Sequence, residues 1–148
     1  MRFALAVSTY HDFVTSRLEA GARAELVGRG IAEPDVISFA VPGAYELSQV
    51  AYRLAETGEW SAVVCLGCLI RGETPHFDYI ARAAADGIMR AAQDTGVPVA
   101  FGVLTTNTAE EAMARAGDGP MNKGREAAAA AFEMARLFEQ ISGANGRT

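Results

Sequence analysis

A proline and a histidine stand side by side where an apolar segment gives way to a helical pattern, in RGETPHFDYI from Arg71 to Ile80. Proline suits the first position of a helix, where its missing N–H would have no helical partner, and Thr74 before it is a good N-cap residue. The next amides then remain unpaired, and such a terminus attracts anions. His76 would lie on this first turn, and an imidazole can transfer protons near neutral pH. The spacing predicts an anion site beside a proton-transfer group, with a surface histidine on a capped helix as the alternative.

Other side chains that could contact a ligand stand at similar junctions. In STYHD, Tyr10 follows an apolar segment, where its ring could stack on a ligand or cover the rim of the core. In VPGAYE, Glu46 falls in the first turn of a helix, which favours a carboxylate whatever its function. Arg115 and Lys123 come late in the chain, and an arginine that reached a free helix terminus would bind phosphate with two hydrogen bonds. Spacing alone leaves open whether these residues converge or are solvated surface charges.

The two cysteines have the C-x-x-C spacing of metal and redox pairs. Cys65 and Cys68 lie in the apolar run VVCLGCLI, where residues three apart on a strand point to opposite faces. The sequence has no second cysteine pair to complete a tetrahedral site. We therefore interpret both as core residues and predict no metal.

The segments that must position these residues alternate between two patterns. Apolar runs typical of strands are each followed by a segment with helical spacing, and the last segments are helical. The predicted strands are RFALAVS, DVISFAVPG, SAVVCLGCLIRG and VPVAFGVLT. The expected helix signals are N-caps at Asp12 and Asn122, a capping box from Thr108 to Glu111, and C-terminal glycines at Gly58 and Gly96. The last helix is predicted to end near Ile141.

This alternation predicts a parallel sheet covered by helices, because parallel strands need crossovers and are buried on both faces. The expected fold class is α/β, a three-layer α/β/α sandwich with a four-stranded parallel sheet. One domain is expected over 1–142, followed by a flexible C-terminal tail at 143–148. Ligands of such folds bind beyond the carboxyl ends of the strands, where the side chains described above are expected.

Composition narrows the classes of partner. The net charge of −5 and the pI near 5.0, without a cluster of Lys or Arg, argue against nucleic acid. No apolar run reaches the roughly 18 residues that a membrane span requires. Met1 leads directly into a strand pattern rather than a signal peptide, so a cytoplasmic location is expected.

Five motifs, taken together, resemble one family: lumazine synthase, which acts in riboflavin biosynthesis. They are VSTYHDFVTSRLEAGA, VPGAYEL, CLGCLIRGETPHFDYI, PVAFGVLTTNT, and ARAG followed by NKGREAA. Each motif is short, but all five occur in the family's order and spacing over nearly the whole chain. The resemblance implies a flavodoxin-like version of the sandwich. It also implies a transferase that condenses 5-amino-6-(D-ribitylamino)uracil with 3,4-dihydroxy-2-butanone 4-phosphate, giving 6,7-dimethyl-8-ribityllumazine, phosphate and water, without a cofactor.

The resemblance also implies roles for individual residues. His76 corresponds to the proton-transferring histidine and Tyr10 to the aromatic residue that stacks on the pyrimidine. The segment that holds the ribityl chain and ring corresponds to Ala44, Tyr45 and Glu46, and the backbone at the pyrimidine edge corresponds to Cys68, Leu69 and Ile70. The phosphate site corresponds to Glu73, Thr74 and Arg115. An aromatic residue from a neighbouring subunit corresponds to Phe101, and a lysine near the pyrimidine end corresponds to Lys123.

Two positions depart from the family's pattern. Glu73 places an acidic side chain beside the phosphate, so we expect this side chain to point to solvent while its amide binds. His11 stands where many relatives carry asparagine. Neither change removes a group that the chemistry requires.

The family builds pentamers with active sites shared between neighbours, and some members pack pentamers into an icosahedral shell. Shell-forming relatives carry a G-T-K-A-G type of turn before NKG, where this chain has GDGPM, and the chain begins close to its first strand. The resemblance therefore favours a homopentamer, with the shell as the other possible assembly.

Two other functions stay open beside lumazine synthase. One is a related riboflavin synthase that uses two lumazine molecules, and the other is a paralogue that binds flavin or lumazine without catalysis. Thr74, His76 and Arg115 argue against the second, because a binder of unphosphorylated ligands would not need an anion site.

Overall fold

Four parallel strands form the single sheet of the computed structural model, which describes residues 1–145 and side chains up to residue 143. The strands are β1 Phe3–Ser8, β2 Val36–Val41, β3 Ala62–Ile70 and β4 Val99–Thr106. Their order in the sheet is β2-β1-β3-β4. The chain places β2 on one side of β1 and then β3 and β4 on the other side, so the strand order reverses between β1 and β3. The predicted strands and their parallel arrangement are confirmed.

Helices cover both faces of the sheet. They are α1 Asp12–Gly28, α2 Leu47–Glu56, α3 His76–Thr95, α4 Ala109–Ala114 and α5 Lys123–Asn145, with short 3-10 turns at Glu33–Asp35 and Ala44–Glu46. Alternation along β1 sends Phe3 and Leu5 into a core with α1 and α5, and Ala4 and Ala6 into a core with α2 and α3. The three-layer α/β/α sandwich is therefore confirmed.

The two cysteines lie on opposite faces of β3. Cys68 belongs to the core under α1 and α5, whereas Cys65 belongs to the core under α2 and α3. Burial raises the pKa of the Cys65 thiol to about 12 and that of the Cys68 thiol to about 11. Both are free thiols that pack as small apolar side chains.

Several of the predicted helix signals are correct. Thr108 and Glu111 form the capping box of α4, with each side chain bonded to the other residue's backbone N–H. Asn122 Oδ1 accepts a hydrogen bond of 3.1 Å from Arg125 N at the start of α5. Gly58 and Gly96 follow α2 and α3 with positive φ angles, as helix-ending glycines do.

Two predicted N-caps are wrong. His11, not Asp12, is the N-cap of α1, because its carbonyl accepts from the amides of Val14 and Thr15. Pro75, not Thr74, is the N-cap of α3, and no side chain caps this helix. Pro75 thus precedes the helix instead of occupying its first position.

The last helix is longer than predicted. It continues past Ile141 to Asn145, because no residue in this stretch forces it to end. Residues 146–148 of the predicted tail lie outside the described residues. Among residues 1–145, none of the helices combines the length and the apolarity that a membrane span requires.

Helices α1 and α5 approach each other closely on their face of the sheet. A Cβ added at Gly124 would meet the Leu18 backbone, and one added at Gly21 would meet the Asn122 side chain. Asn122 is 3% exposed and donates through Nδ2 to the carbonyls of Arg17 and Gly117. Four alanines of α5 are buried in the core as well, so this thin helix packs tightly against its own chain: Ala127, Ala128, Ala131 and Ala135.

Candidate functional site

A cleft of about 570 Å³ opens at the carboxyl ends of β1, β2 and β3. This is the edge of the sheet where open α/β folds bind ligands, next to the reversal of strand order. The cleft brings together eight of the residues predicted for the site: Tyr10, Ala44, Tyr45, Glu46, Leu69, Ile70, Thr74 and His76. Residues from three separate junctions therefore converge here.

The β3–α3 junction forms one wall of the cleft with exposed backbone. Residues 71–76 are all exposed, and α3 begins at His76. The Pro75 carbonyl accepts from the amides of Asp78 and Tyr79, at 3.0 and 3.4 Å. The amides of His76 and Phe77 belong to the first turn, where no intrahelical carbonyl is available to them. They are donors for an anion, and the His76 imidazole stands on the same turn.

The β1–α1 junction contributes two stacked rings. The ring centroids of Tyr10 and His11 are 4.4 Å apart with an interplanar angle of 26°, and both residues line the cleft. The Tyr10 residue remains 63% exposed, so much of it is open to a ligand. Partial burial lowers the pKa of His11 below its ordinary value, because the charged imidazolium loses part of its hydration there.

The β2–α2 junction adds a carboxylate and a second tyrosine. Glu46 packs over Gly43, since a Cβ at Gly43 would lie 3.1 Å from Glu46 Oε1. Tyr45 is 53% exposed beside it, while Ala44 is buried and anchors the turn in the core. The cleft therefore combines hydrogen-bonding groups with apolar walls, as small-molecule sites do.

Arg71 is a residue of this region that the sequence analysis did not single out. Its guanidinium lies over the Phe77 ring, 4.5 Å from the centroid, and pairs with the Asp78 carboxylate at 3.4 Å. Its Nε donates to Asn107 Oδ1 at 3.1 Å, and its backbone N donates to the Thr106 carbonyl at 2.9 Å. Arg71 thus connects the first turn of α3 to the carboxyl end of β4. Nothing in the local pattern signalled this, because the partners come from another element.

The remaining predicted residues do not line the cleft of their own chain. Glu73 is exposed, as expected for a side chain that points to solvent, and the Cys68 side chain is in the core. Phe101 is the third residue of β4 and pairs with Cys65, whereas Leu69 and Ile70 pair with the end of that strand. It therefore lies far from the cleft.

Arg115 and Lys123 lie next to each other but away from the cleft. The Lys123 amide donates to the Arg115 carbonyl at 2.9 Å, which joins the end of α4 to the start of α5. The Arg115 guanidinium is exposed and donates to the Glu111 carbonyl at 3.1 Å. Lys123 Nζ pairs with Glu126 at 3.4 Å.

Over residues 1–145, side chains of His, Cys, Asp and Glu form no group of three or more that could hold a metal ion. A larger hollow of about 780 Å³ lies between α2 and α3, but none of the predicted site residues lines it. The cleft at the strand ends is thus the candidate site.

Comparison with known proteins agrees with this geometry. The profile of the 6,7-dimethyl-8-ribityllumazine synthase family matches residues 1–139. The chain belongs to the 6,7-dimethyl-8-ribityllumazine synthase family. This confirms the resemblance drawn from the five sequence motifs.

Relatives in the family share about half of their residues with this chain. The 6,7-dimethyl-8-ribityllumazine synthase of Syntrophus aciditrophicus is 50% identical over 141 residues, covering 95% of this chain and 92% of its own. The Salinibacter ruber protein of the same name is 48% identical over 142 residues, covering 96% and 91%. The Deinococcus radiodurans protein of that name is 48% identical over 141 residues, covering 95% and 91%. The match to the family profile over residues 1–139 includes all three junctions of the cleft.

Proposed function

We propose that this chain is a transferase that condenses 5-amino-6-(D-ribitylamino)uracil with 3,4-dihydroxy-2-butanone 4-phosphate. The products are 6,7-dimethyl-8-ribityllumazine, phosphate and water. The observation that carries the proposal is the cleft at the strand ends, which collects an aromatic ring, a carboxylate, free helix amides and a histidine in a chain of this family.

The pyrimidine and its ribityl chain occupy the part of the cleft formed by β1, β2 and the end of β3. Tyr10 stacks on the pyrimidine ring, since its exposed ring offers a face to a flat heterocycle. The backbone of Cys68, Leu69 and Ile70 hydrogen-bonds the pyrimidine edge. The turn Ala44–Glu46 holds the ribityl chain, for which the Glu46 carboxylate accepts hydrogen bonds from hydroxyl groups.

The phosphorylated ketone binds at the start of α3. Amides of Glu73, Thr74 and the first helical turn donate to the phosphate, and Arg115 pairs with it. The amine of the first substrate attacks the ketone to form an imine with loss of water. Phosphate then leaves by elimination, and the resulting enol becomes a ketone. The ribityl-bearing nitrogen attacks this ketone and closes the ring with loss of a second water. His76 transfers protons in these steps, and most of the rate enhancement comes from holding both substrates together.

The site is completed by a second copy of the chain in a homopentamer. Phe101, Arg115 and Lys123 do not line their own chain's cleft, which fits their contribution to the site of a neighbour. The turn GDGPM favours the pentamer over an icosahedral shell. We place the enzyme in the cytoplasm, acting on small molecules and not on nucleic acid or membranes.

The test is lumazine formation from the two purified substrates, followed by absorbance. Product should form only when both the ribitylaminouracil and the butanone phosphate are present. A riboflavin synthase would instead form riboflavin from lumazine without the phosphate compound. A binding protein would bind lumazine without forming it, and either result would overturn the proposal.

A further inference from the structure

His11 has the one positive φ angle of any residue other than glycine within the described part of the chain. Its φ and ψ are 61° and 48°, in the left-handed region that Asn, Asp and His enter more readily than other residues with a side chain. This conformation turns the chain from β1 into α1, and the His11 carbonyl accepts from the amides of Val14 and Thr15. The backbone therefore fixes the direction of the Cα–Cβ bond that carries the imidazole.

The imidazole lies between two aromatic rings. It stacks on Tyr10, and it meets the Phe13 ring edge-on, with centroids 5.8 Å apart and planes at 89°. The stack leaves the rest of the Tyr10 ring open, and Tyr10 and His11 both line the cleft, whereas Phe13 does not. Contacts from His11 on one face restrict the angles that the exposed Tyr10 ring can adopt.

We propose that His11 is a positioning residue for the pyrimidine substrate, which fixes the plane of Tyr10 so that a flat heterocycle can stack on its open face. This inference rests on the proposed function. His11 needs no contact with the reacting atoms in this role, because its effect passes through the Tyr10 ring. Its contribution is therefore to binding of the pyrimidine and not to binding of the phosphorylated ketone.

The first test compares His11→Asn and His11→Gly with the wild-type enzyme. Both replacements tolerate the left-handed conformation and both lack the ring, so the fold should persist with a Tm within a few degrees of wild type. The KM for the ribitylaminouracil should rise between about twofold and tenfold, the range expected from losing one aromatic pair. The KM for the butanone phosphate and kcat should stay at wild-type values. Ser16→Ala, an exposed change on the same helix, is the control.

The second test asks whether His11 acts through Tyr10. In a Tyr10→Leu background there is no ring to position, so adding His11→Asn should change KM no further. An additive effect in the double variant would show an independent role and overturn the proposal. Unchanged KM in both single variants would also overturn it, while wild-type turnover in the same assay would leave the proposed function standing.

Discussion

At the scale of single residues, the cleft places the proposed proton-transfer group, His76, beside the free amides of a helix terminus. His76 is the first residue of α3, so its own amide and imidazole lie on one helical turn. A negative phosphate at this terminus is stabilised by the amides and by the helix dipole. In the proposed reaction we therefore expect the imidazole to lie close to the bond from which phosphate leaves.

Replacement of His76 with alanine should slow the chemical step more than it weakens binding. We expect kcat to fall about 100-fold, at the low end of general acid–base contributions, because substrate proximity still operates in the variant. The KM for each substrate should change less than kcat. Steady-state kinetics with both substrates varied will measure this, with circular dichroism to check the fold. Wild-type kcat in a folded variant would remove His76 from the mechanism.

At the scale of secondary-structure elements, Arg71 holds the exposed β3–α3 loop in place. Its partner Asn107 donates its own backbone N–H to Glu111 Oε1 at 2.8 Å, within the capping region of α4. One connected set of contacts thus runs from α4 through Arg71 to the first turn of α3. We expect the amides proposed to bind phosphate to depend on this support, since the loop residues themselves are exposed.

Arg71→Lys keeps the charge but loses the planar fork that bonds Asn107 while stacking on Phe77. We expect the KM for the butanone phosphate to rise by about three- to tenfold because the loop is less well positioned. Stability should change by less than about 1 kcal/mol, since the Arg71–Asp78 ion pair is exposed. Asn107→Ala should reproduce the effect, and Arg82→Lys on the exposed face of α3 is the control. A loss of stability without a change in KM would contradict this role.

Charges also connect α1 to α5 on the other face of the sheet. Arg29 Nε donates to Glu25 Oε2 at 2.7 Å, and Arg125 of α5 donates to Oε1 at 3.3 Å. The hydrogen bond from Arg29 lowers the pKa of the Glu25 carboxyl, partial burial opposes the shift, and Arg125 adds to the lowering. The folded state therefore favours the ionised form of this glutamate.

Glu25→Gln should destabilise the protein at pH 7 by about 1 kcal/mol, as expected for a partly exposed charge-assisted pair. A carboxyl group whose pKa is lower in the folded state than in the unfolded state stabilises the folded state at pH values above its unfolded-state pKa. This stabilisation disappears as the pH falls through the folded-state pKa. The difference in the free energy of unfolding between wild type and variant should therefore be constant from pH 7 to about pH 5 and shrink below about pH 4. Urea unfolding at several pH values will measure it, with Glu139→Gln as an exposed control. A difference independent of pH would exclude ionisation as its source.

At the scale of the whole molecule, the cleft of one chain lacks two of the residues proposed for the site, Phe101 and Arg115. Phe101 lies four residues before Thr105, the partner of Leu69, and so roughly 13 Å away along the strand. Arg115 contacts its own helix α4 and not the cleft. A second chain that supplies these groups would place the reaction at an interface.

Shared sites predict complementation between two variants that are impaired alone. His76→Ala should lower kcat, and Arg115→Ala should raise the KM for the butanone phosphate about tenfold or more, since it loses a charged hydrogen bond. If the two variants assemble at random, about a quarter of the sites should contain both native residues. Such a site needs His76 from one chain and Arg115 from its neighbour, and each of these is present in about half of the chains. Co-expression with two affinity tags, followed by kinetics at limiting phosphate substrate, will measure this. Activity no higher than the average of the two variants would place each site within one chain.

Much of this protein follows from local sequence patterns. The β-strand period of two assigns Cys65 and Cys68 to opposite cores, and the strand–helix alternation leads to the parallel sheet and its ligand-binding edge. The capping box at Thr108 also follows, because its two residues are neighbours in the sequence. Tyr10, Glu46, Thr74 and His76 could be named from their own junctions, whereas the resemblance to the family was needed to name Ala44, Tyr45, Leu69 and Ile70.

Tertiary structure alone decided the features that depend on distant partners. Pro75 replaced Thr74 as the cap of α3, and His11 took a left-handed conformation in place of a cap at Asp12, because the strand ends and the core determine where each helix can begin. The bond from Arg71 to Asn107 spans 36 positions of sequence, which no local pattern encodes. The sequence by itself therefore determined the elements, the layers and the chemistry at their junctions, while packing decided which side chains face the cleft and which face away.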